Sequence, residues 1–290
     1  MSKERAHLFR TTTVAGRPEP AKQGRPTKFP EAAEWTGGFS EGDDAMAVRI
    51  WIPRGLCVHV DECSSRYTPH VPRRSEMTAG HGPLQRFRCP GGCCEAEDGA
   101  LFVSDAYNHV IRRRDPTDTL WRTLAGKPGE KGVLDGKGGD ARFSYPQRIA
   151  LHDARMLVVA GGGSHVLHMV DTASGLTSTL AGAAGTPGGD DGNGAEARFS
   201  RPIGLAVDRA TREIYVGDVG GHTIRRVTKI GDVTTLAGKF KEKGFADGSG
   251  GGARFNQPCG IAVKEEDSHK VLIVGKCCPL IRKWYVATCK

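Results

Sequence analysis

Aromatic residues are scarce in this chain, and long apolar runs are missing altogether. Phenylalanine, tyrosine and tryptophan make up 7% of its 290 residues, and no stretch approaches the roughly 20 apolar residues that a membrane-spanning helix needs. Such a helix is therefore excluded. The first ten residues, Met1 to Arg10, hold no apolar core of the kind a secretory signal requires. The expected location is intracellular, cytoplasmic or organellar and not secreted, and the basic start is compatible with a mitochondrial presequence. The nine cysteines are odd in number and irregularly placed, which argues against a secreted disulfide framework. No G-x-S-x-G elbow or Walker loop is present, and the glycine-rich runs lack the strand-to-helix context that phosphate loops need.

Charge of one sign is in modest excess. Forty-one lysines and arginines against 33 acids give a formal net charge of +8, which favours an acidic partner and equally suits a basic subunit of a larger assembly. Net charge bears on association rather than on fold.

What the chain does have is glycine, 40 residues of it, set in a repeat. Arg86-Phe87 with Pro90, Arg142-Phe143 with Pro146, Arg198-Phe199 with Pro202 and Arg254-Phe255 with Pro258 return every 56 residues. Each unit closes alike, as Thr123-Leu124-Ala125-Gly126, Thr179-Leu180-Ala181-Gly182 and Thr235-Leu236-Ala237-Gly238. A period this long marks a propeller, a solenoid or an array. Within residues 188–238, short β-branched or apolar runs at 203–207, 213–217, 223–227 and 232–236 are separated by Gly, Asp and Pro. None carries an apolar stripe at helical spacing. Four short antiparallel strands per unit predict a β-propeller blade, whereas a β-solenoid would use a much shorter repeat.

At these residues the chain resembles the NHL-repeat family. The phrases DG-x-G-x-x-ARF-x-x-P-x-GIAV, (L/I)YV-x-D, NH-x-IR(R/K)V and V-x-TLAG stand almost intact at 191–238 and in long pieces at 135–182 and 247–283, and Asn108 to Arg113 repeat the third of them. The resemblance covers residues 86–286 and implies an all-β fold, an NHL-type β-propeller of four-stranded blades. Five units are recognisable, for a ring of five or six blades. It leaves function open, because one propeller architecture hosts binding modules and enzymes alike.

The whole chain, 1–290, reads as a single propeller domain. Clear blades fall at 86–126, 142–182 and 198–238. Residues 17–37, with four prolines, read as a loop or insertion, and 38–80 as a degenerate blade. Residues 8–16 match only the closing phrase, while the C-terminal unit from 254 to 290 has three strands and then stops. The N-terminal strand is expected to complete that last blade, closing the ring and leaving no free sheet edge.

The candidate functional residues need weighing against structural roles. Asp135, Asp191 and Asp247 each precede Arg142, Arg198 and Arg254 by seven residues, a constancy expected if a charge-assisted bond pins each Asp-Gly turn to its Arg. Asp105 and Asp218, with His109 and His222, fall between the second and third strands and read as turn residues. In the other units Gly161 and Gly275 replace the Asp. Cys89, Cys93 and Cys94 could suggest zinc, but Cys93 and Cys94 occupy a first-strand position where cysteine acts as a small hydrophobe.

Propeller topology puts the loops 127–141, 183–197 and 239–253 on the same face as the turns between second and third strands. Flexible loops on a rigid scaffold are where binding usually lives, which makes Lys127, Lys131, Lys137, Lys239, Lys241 and Lys243 candidate binding residues, with Arg113 and Arg226 from the third strands. The resemblance extends to enzymes, since calcium-dependent propeller lactonases and amidating-lyase-like NHL enzymes carry carboxylates, Asn or His on their inner strands. Here those strands begin Pro53-Arg54-Gly55, Pro90-Gly91-Gly92, Pro146-Gln147-Arg148, Pro202-Ile203-Gly204 and Pro258-Cys259-Gly260, with no acidic ring for a hard cation. The expectation is a non-catalytic protein-interaction scaffold or assembly subunit with protein partners, no cofactor and no small-molecule substrate. RNA binding through a basic face is the alternative, followed by a divergent metal-dependent hydrolase or lyase.

Overall fold

Four short strands separated by tight turns recur along the chain because β-branched and apolar runs of five or six residues alternate with glycine and Asx turns. The computed structural model describes residues 11–15, 87–118, 120–266, 269–276 and 281–286. The loop read at 17–37 and the degenerate blade read at 38–80 lie outside the described residues.

After β1 (Thr11–Ala15), blade I comprises β2 (Pro90–Glu95), β3 (Leu101–Asp105), β4 (Val110–Arg114) and β5 (Arg122–Ala125). The short β6 (Gly136–Lys137) precedes blade II, which comprises β7 (Pro146–Leu151), β8 (Met156–Gly161), β9 (Val166–Asp171) and β10 (Leu176–Ala181). Likewise β11 (Gly192–Asn193) precedes blade III, with β12 (Pro202–Val207), β13 (Ile214–Asp218), β14 (Thr223–Val227) and β15 (Asp232–Ala237). Blade IV comprises β16 (Pro258–Glu266), β17 (His269–Lys276) and β18 (Ile281–Val286). Every pairing within a blade is antiparallel.

The last blade is completed from the other end of the chain. Its strand order is β1-β18-β17-β16, with Thr11 opposite Trp284 and Thr13 opposite Arg282. An edge that would otherwise be open is thereby paired.

Apolar cores lie between neighbouring blades. Phe102, Ile111, Phe143 and Leu157 join blades I and II, while Leu167, Phe199, Ile214 and Val216 join II and III. Tyr215, Ile224, Phe255 and Leu272 join III and IV. The repeat signature makes physical sense here. Gly126, Gly182 and Gly238 close the fourth strands at φ of 95°, 97° and 89°, a conformation that favours glycine. A Cβ on them would meet the next unit's Phe143, Phe199 or Phe255 at 3.0 to 3.2 Å. The glycine of TLAG and the phenylalanine of ARF are thus two halves of one blade-to-blade contact.

Two sequence expectations change. The glycine-rich segments are not simple loops, because part of each is structured against a blade. β6 pairs with β10 and β11 with β15, each adding a fifth strand outside its blade, and one-turn 3-10 helices follow at Gly138–Asp140, Gly194–Glu196 and Gly250–Gly252. Cys93, read as a small hydrophobe, is disulfide-bonded. Cys94 is a free cysteine packed against the core, and burial pushes its thiol up to about 12, which leaves it uncharged and unreactive.

Candidate functional site

Asp135 and Asp191 do not pair with Arg142 and Arg198 in the way their constant spacing suggested. Asp135 accepts from the Thr179 backbone amide and hydroxyl, both at 2.9 Å, and Asp191 accepts from the Thr235 hydroxyl at 2.8 Å and Arg225 Nη2 at 2.9 Å. These carboxylates tie the Asp-Gly turn to the outer strand of its own blade, 44 residues on. Asp247 holds the same place ahead of the third 3-10 turn. Arg142, Arg198 and Arg254 instead donate to backbone carbonyls of the adjoining 3-10 turn, as from Arg142 Nη1 to Gly139 at 2.6 Å, Arg198 Nη1 to Glu196 at 2.9 Å and Arg254 Nη1 to Ala253 at 2.8 Å. Carbonyls at a helix end lack intrahelical partners and draw the guanidinium away from the aspartate. Arg142 and Arg254 also pair with Glu130 and Glu242.

Asp105 and Asp218 end their second strands and secure the segment leading into the first. Asp105 accepts the Arg88 amide at 2.8 Å, Asn108 Nδ2 at 2.8 Å and Arg112 Nε at 3.2 Å, and Asp218 accepts the Ser200 amide at 2.8 Å. Burial raises both carboxyls, Asp218 to about 7, against the pull of the Ser200 amide and the Arg225 charge. In blade II both partners are replaced, by Gly161 and His168. The imidazole is fully buried against the Phe143 ring at 5.1 Å, and neither nitrogen has a hydrogen-bond partner among the described residues.

Burial pushes the pKa of His168 down to about 4 from an ordinary 6.5, with Asp135 pulling weakly the other way. The unfolded chain therefore takes up this proton first. The stability it contributes is present above pH 6.5 and is lost as the pH falls toward 4, by about 3 kcal/mol at most. Urea unfolding measured from pH 7 to pH 4 should show this decline, and His168→Leu should flatten it.

Histidine in the turn before the third strand has a role beyond turn formation. His109, His165 and His222 adopt φ of 61°, 64° and 61°. Each Nδ1 accepts the amide of Tyr145, Arg201 or Gln257 of the next blade, at 3.3, 3.0 and 3.1 Å. These acceptors must be neutral at Nδ1, and burial together with nearby Lys131 and Arg88, Arg201, or Lys243 lowers the three pKa values accordingly. His165 was missed in the sequence, although Ser164-His165-Val166 stands in register with Asn108-His109-Val110.

The glycine-rich segments start on the same face as these histidines. Gly129, Gly185 and Lys241 donate amides to Asn108, Ser164 and Gly221 of the second-to-third-strand turns. Of the cations expected to act there, four have acidic partners: Lys127 with Glu130, Lys239 with Glu242, Arg113 with Asp115 and Arg226 with Glu213. Arg113 also reaches the Thr172 carbonyl of blade II at 2.6 Å, so it is a blade-to-blade tie. Lys137 sits on the added outer strand opposite Leu176, apart from the histidine face. Lys131, Lys241 and Lys243 are exposed on the segments that start at that face and have no acidic partner among the described residues; Lys241 lies over the Phe240 ring at 5.4 Å.

An aromatic cluster that the sequence did not announce adjoins Lys131, whose charge acts on His109. The rings of Tyr107 and Tyr145 meet edge-on at 5.3 Å, Tyr145 meets His109 at 4.7 Å, and Arg88 lies 5.6 Å over Tyr107. Tyr107 is 41% exposed. Its only sequence signal was position, beside the Asn-His phrase.

No helix of the described residues is long and apolar enough to cross a membrane. The NHL repeat model matches residues 199–227. Protein SUPPRESSOR OF QUENCHING 1, chloroplastic, from Arabidopsis thaliana is 28% identical over 184 residues, 60% of this chain and 17% of that protein. Human NHL repeat-containing protein 2 is 28% identical over 151 residues, 48% of this chain and 20% of that protein. The chain thus spans about a fifth of the length of these relatives. An auxiliary nutrient binding protein from Bacteroides thetaiotaomicron superposes with a TM-score of 0.55 at 22% identity, covering 68% of this chain and 48% of that one. A putative phosphatase from the same species gives 0.54 at 17%, over 69% and 49%. Both likenesses concern the fold alone. Repeat and architecture agree: residues 199–227 match the NHL repeat, and the described residues are built as four-stranded antiparallel blades of a β-propeller.

Proposed function

We propose that this chain is a non-catalytic interaction module, a scaffold or subunit of a larger assembly, that holds a partner protein against the histidine face. The observation that carries this reading is the grouping of Tyr107, Tyr145 and Arg88 beside His109 and Lys131. Rigid aromatics and arginine supply most of the affinity in protein interfaces, and Lys131 beside them favours an acidic group at the rim. Propellers with NHL repeats commonly mediate protein interactions, which is the use this reading assigns here.

The test is affinity purification of the tagged chain from its native cells, with and without nuclease, beside the variant Tyr107→Ala/Lys131→Glu. Stoichiometric proteins that survive nuclease and are lost from the variant are expected. Loss on nuclease treatment, with binding that falls steeply as salt rises, would make RNA the partner instead. A chain recovered alone that turns over a substrate would return the hydrolase or lyase reading to first place.

A further inference from the structure

Among the described residues four inner strands, β2, β7, β12 and β16, pack side by side in that order, and three of them present glycine at the same repeat position: Gly92, Gly204 and Gly260. The fourth presents Arg148. The repeat does not need a side chain at this place, so the arginine calls for another explanation.

Arg148 is only 7% exposed. A Cβ on Gly92 would lie 3.2 Å from its Cδ, so the glycine of blade I leaves room for the arginine stem. Its charge senses Cys259, on the inner strand two blades further round, which puts the guanidinium where the inner strands converge. Among the described residues no carboxylate and no carbonyl satisfies it. The other deeply buried guanidinium groups have acceptors: Arg112 has Asp105 and Thr123, and Arg225 places its two Nη atoms on Asp191 and two backbone carbonyls, leaving only its Nε unsatisfied among the described residues.

We propose that Arg148 is an anion site at the centre of the propeller, taking a small oxoanion of the carboxylate or phosphate type. A buried charge without a counter-ion is unfavourable, and a guanidinium presents a planar fork of donors suited to two oxygens of one anion. Burial alone already pushes Arg148 down to about 10, with only Cys259 opposing. A bound anion reverses that penalty. Arg148 is not one of the residues that carry the histidine-face reading, so neither proposal depends on the other.

The test is thermal unfolding of the full chain with sodium phosphate, and separately sodium acetate, replacing sodium chloride at constant pH and ionic strength. For the wild-type chain one of the two should raise Tm by about 3 °C for each tenfold increase above its Kd. Arg148→Gln should give no such rise, and Arg148→Lys, which keeps the charge and loses the fork, should need at least tenfold more anion. In chloride alone Arg148→Gln should melt at or above the wild-type temperature, because it removes an unpaired buried charge. No response in the wild-type chain overturns the proposal, as does an equal response in Arg148→Gln. So does an Arg148→Gln chain that melts well below wild type or fails to fold, since the arginine would then be structural.

Discussion

Arg225→Met lowers the stability of the folded chain by about 3–5 kcal/mol, measured as a shift in the midpoint of urea unfolding at unchanged slope. Arg225 is fully buried on β14. It donates to the Arg198 carbonyl at 2.8 Å and to the Asp190 carbonyl and Asp191 Oδ1 at 2.9 Å, and its guanidinium lies 5.3 Å from the centre of the Phe199 ring. Methionine fills similar volume but satisfies none of these acceptors, and it strands the buried carboxyl of Asp218 without the positive charge that draws it down. Blade II shows how the fold does without the pair: there Gly161 and His168 stand in place of both. Asp218→Gly/Arg225→His should therefore cost less than the sum of its single substitutions, by about 1–3 kcal/mol. Simple additivity would show that aspartate and arginine act independently.

Phe199→Ala should cost a further large amount, about 3–5 kcal/mol. The ring is fully buried between blades II and III among Ala160, Leu167, Ala181 and Val216. It lies directly under the Gly182 turn, where a Cβ would sit 3.0 Å from Phe199 Cδ2 and 2.5 Å from the His165 carbonyl. No other side chain can enter that space without moving the turn, so the cavity persists. Phe143→Ala, the equivalent change one blade earlier, should cost a similar amount because Phe143 is equally buried under Gly126. Unequal losses at the two positions would mean that the blades are not energetically alike. Phe199 and Arg225 are in contact, so their effects should not simply add.

The strands were legible in the sequence because their signals are local. Alternating β-branched runs between Gly and Asx turns put β12 to β15 within a residue or two of where they lie, and the unmatched closing phrase near the N-terminus pointed to the pairing of β1 with β18. Pairing among the repeat's polar residues was not legible. A spacing of seven residues shows that Asp135 and Arg142 recur together but not what each one faces. The chain between them turns through a 3-10 helix whose free carbonyls take the arginine, leaving the aspartate to a threonine 44 residues on. The binding candidates divided for the same reason, since an acid that pairs with a basic side chain is a neighbour in space: Glu213 holds Arg226 across paired strands, while Lys131 has no acidic partner among the described residues.

The sequence by itself determined the period, the four-stranded unit and the glycine and phenylalanine positions that the blade geometry requires, because each follows from backbone conformation and burial within one repeat. Only the tertiary structure decided which polar groups meet. The histidine ties between blades, the aromatic cluster beside Lys131 and Arg148, without a partner among the described residues and set among glycines, all join residues from different repeats, and their chemistry depends on distances that no single unit contains.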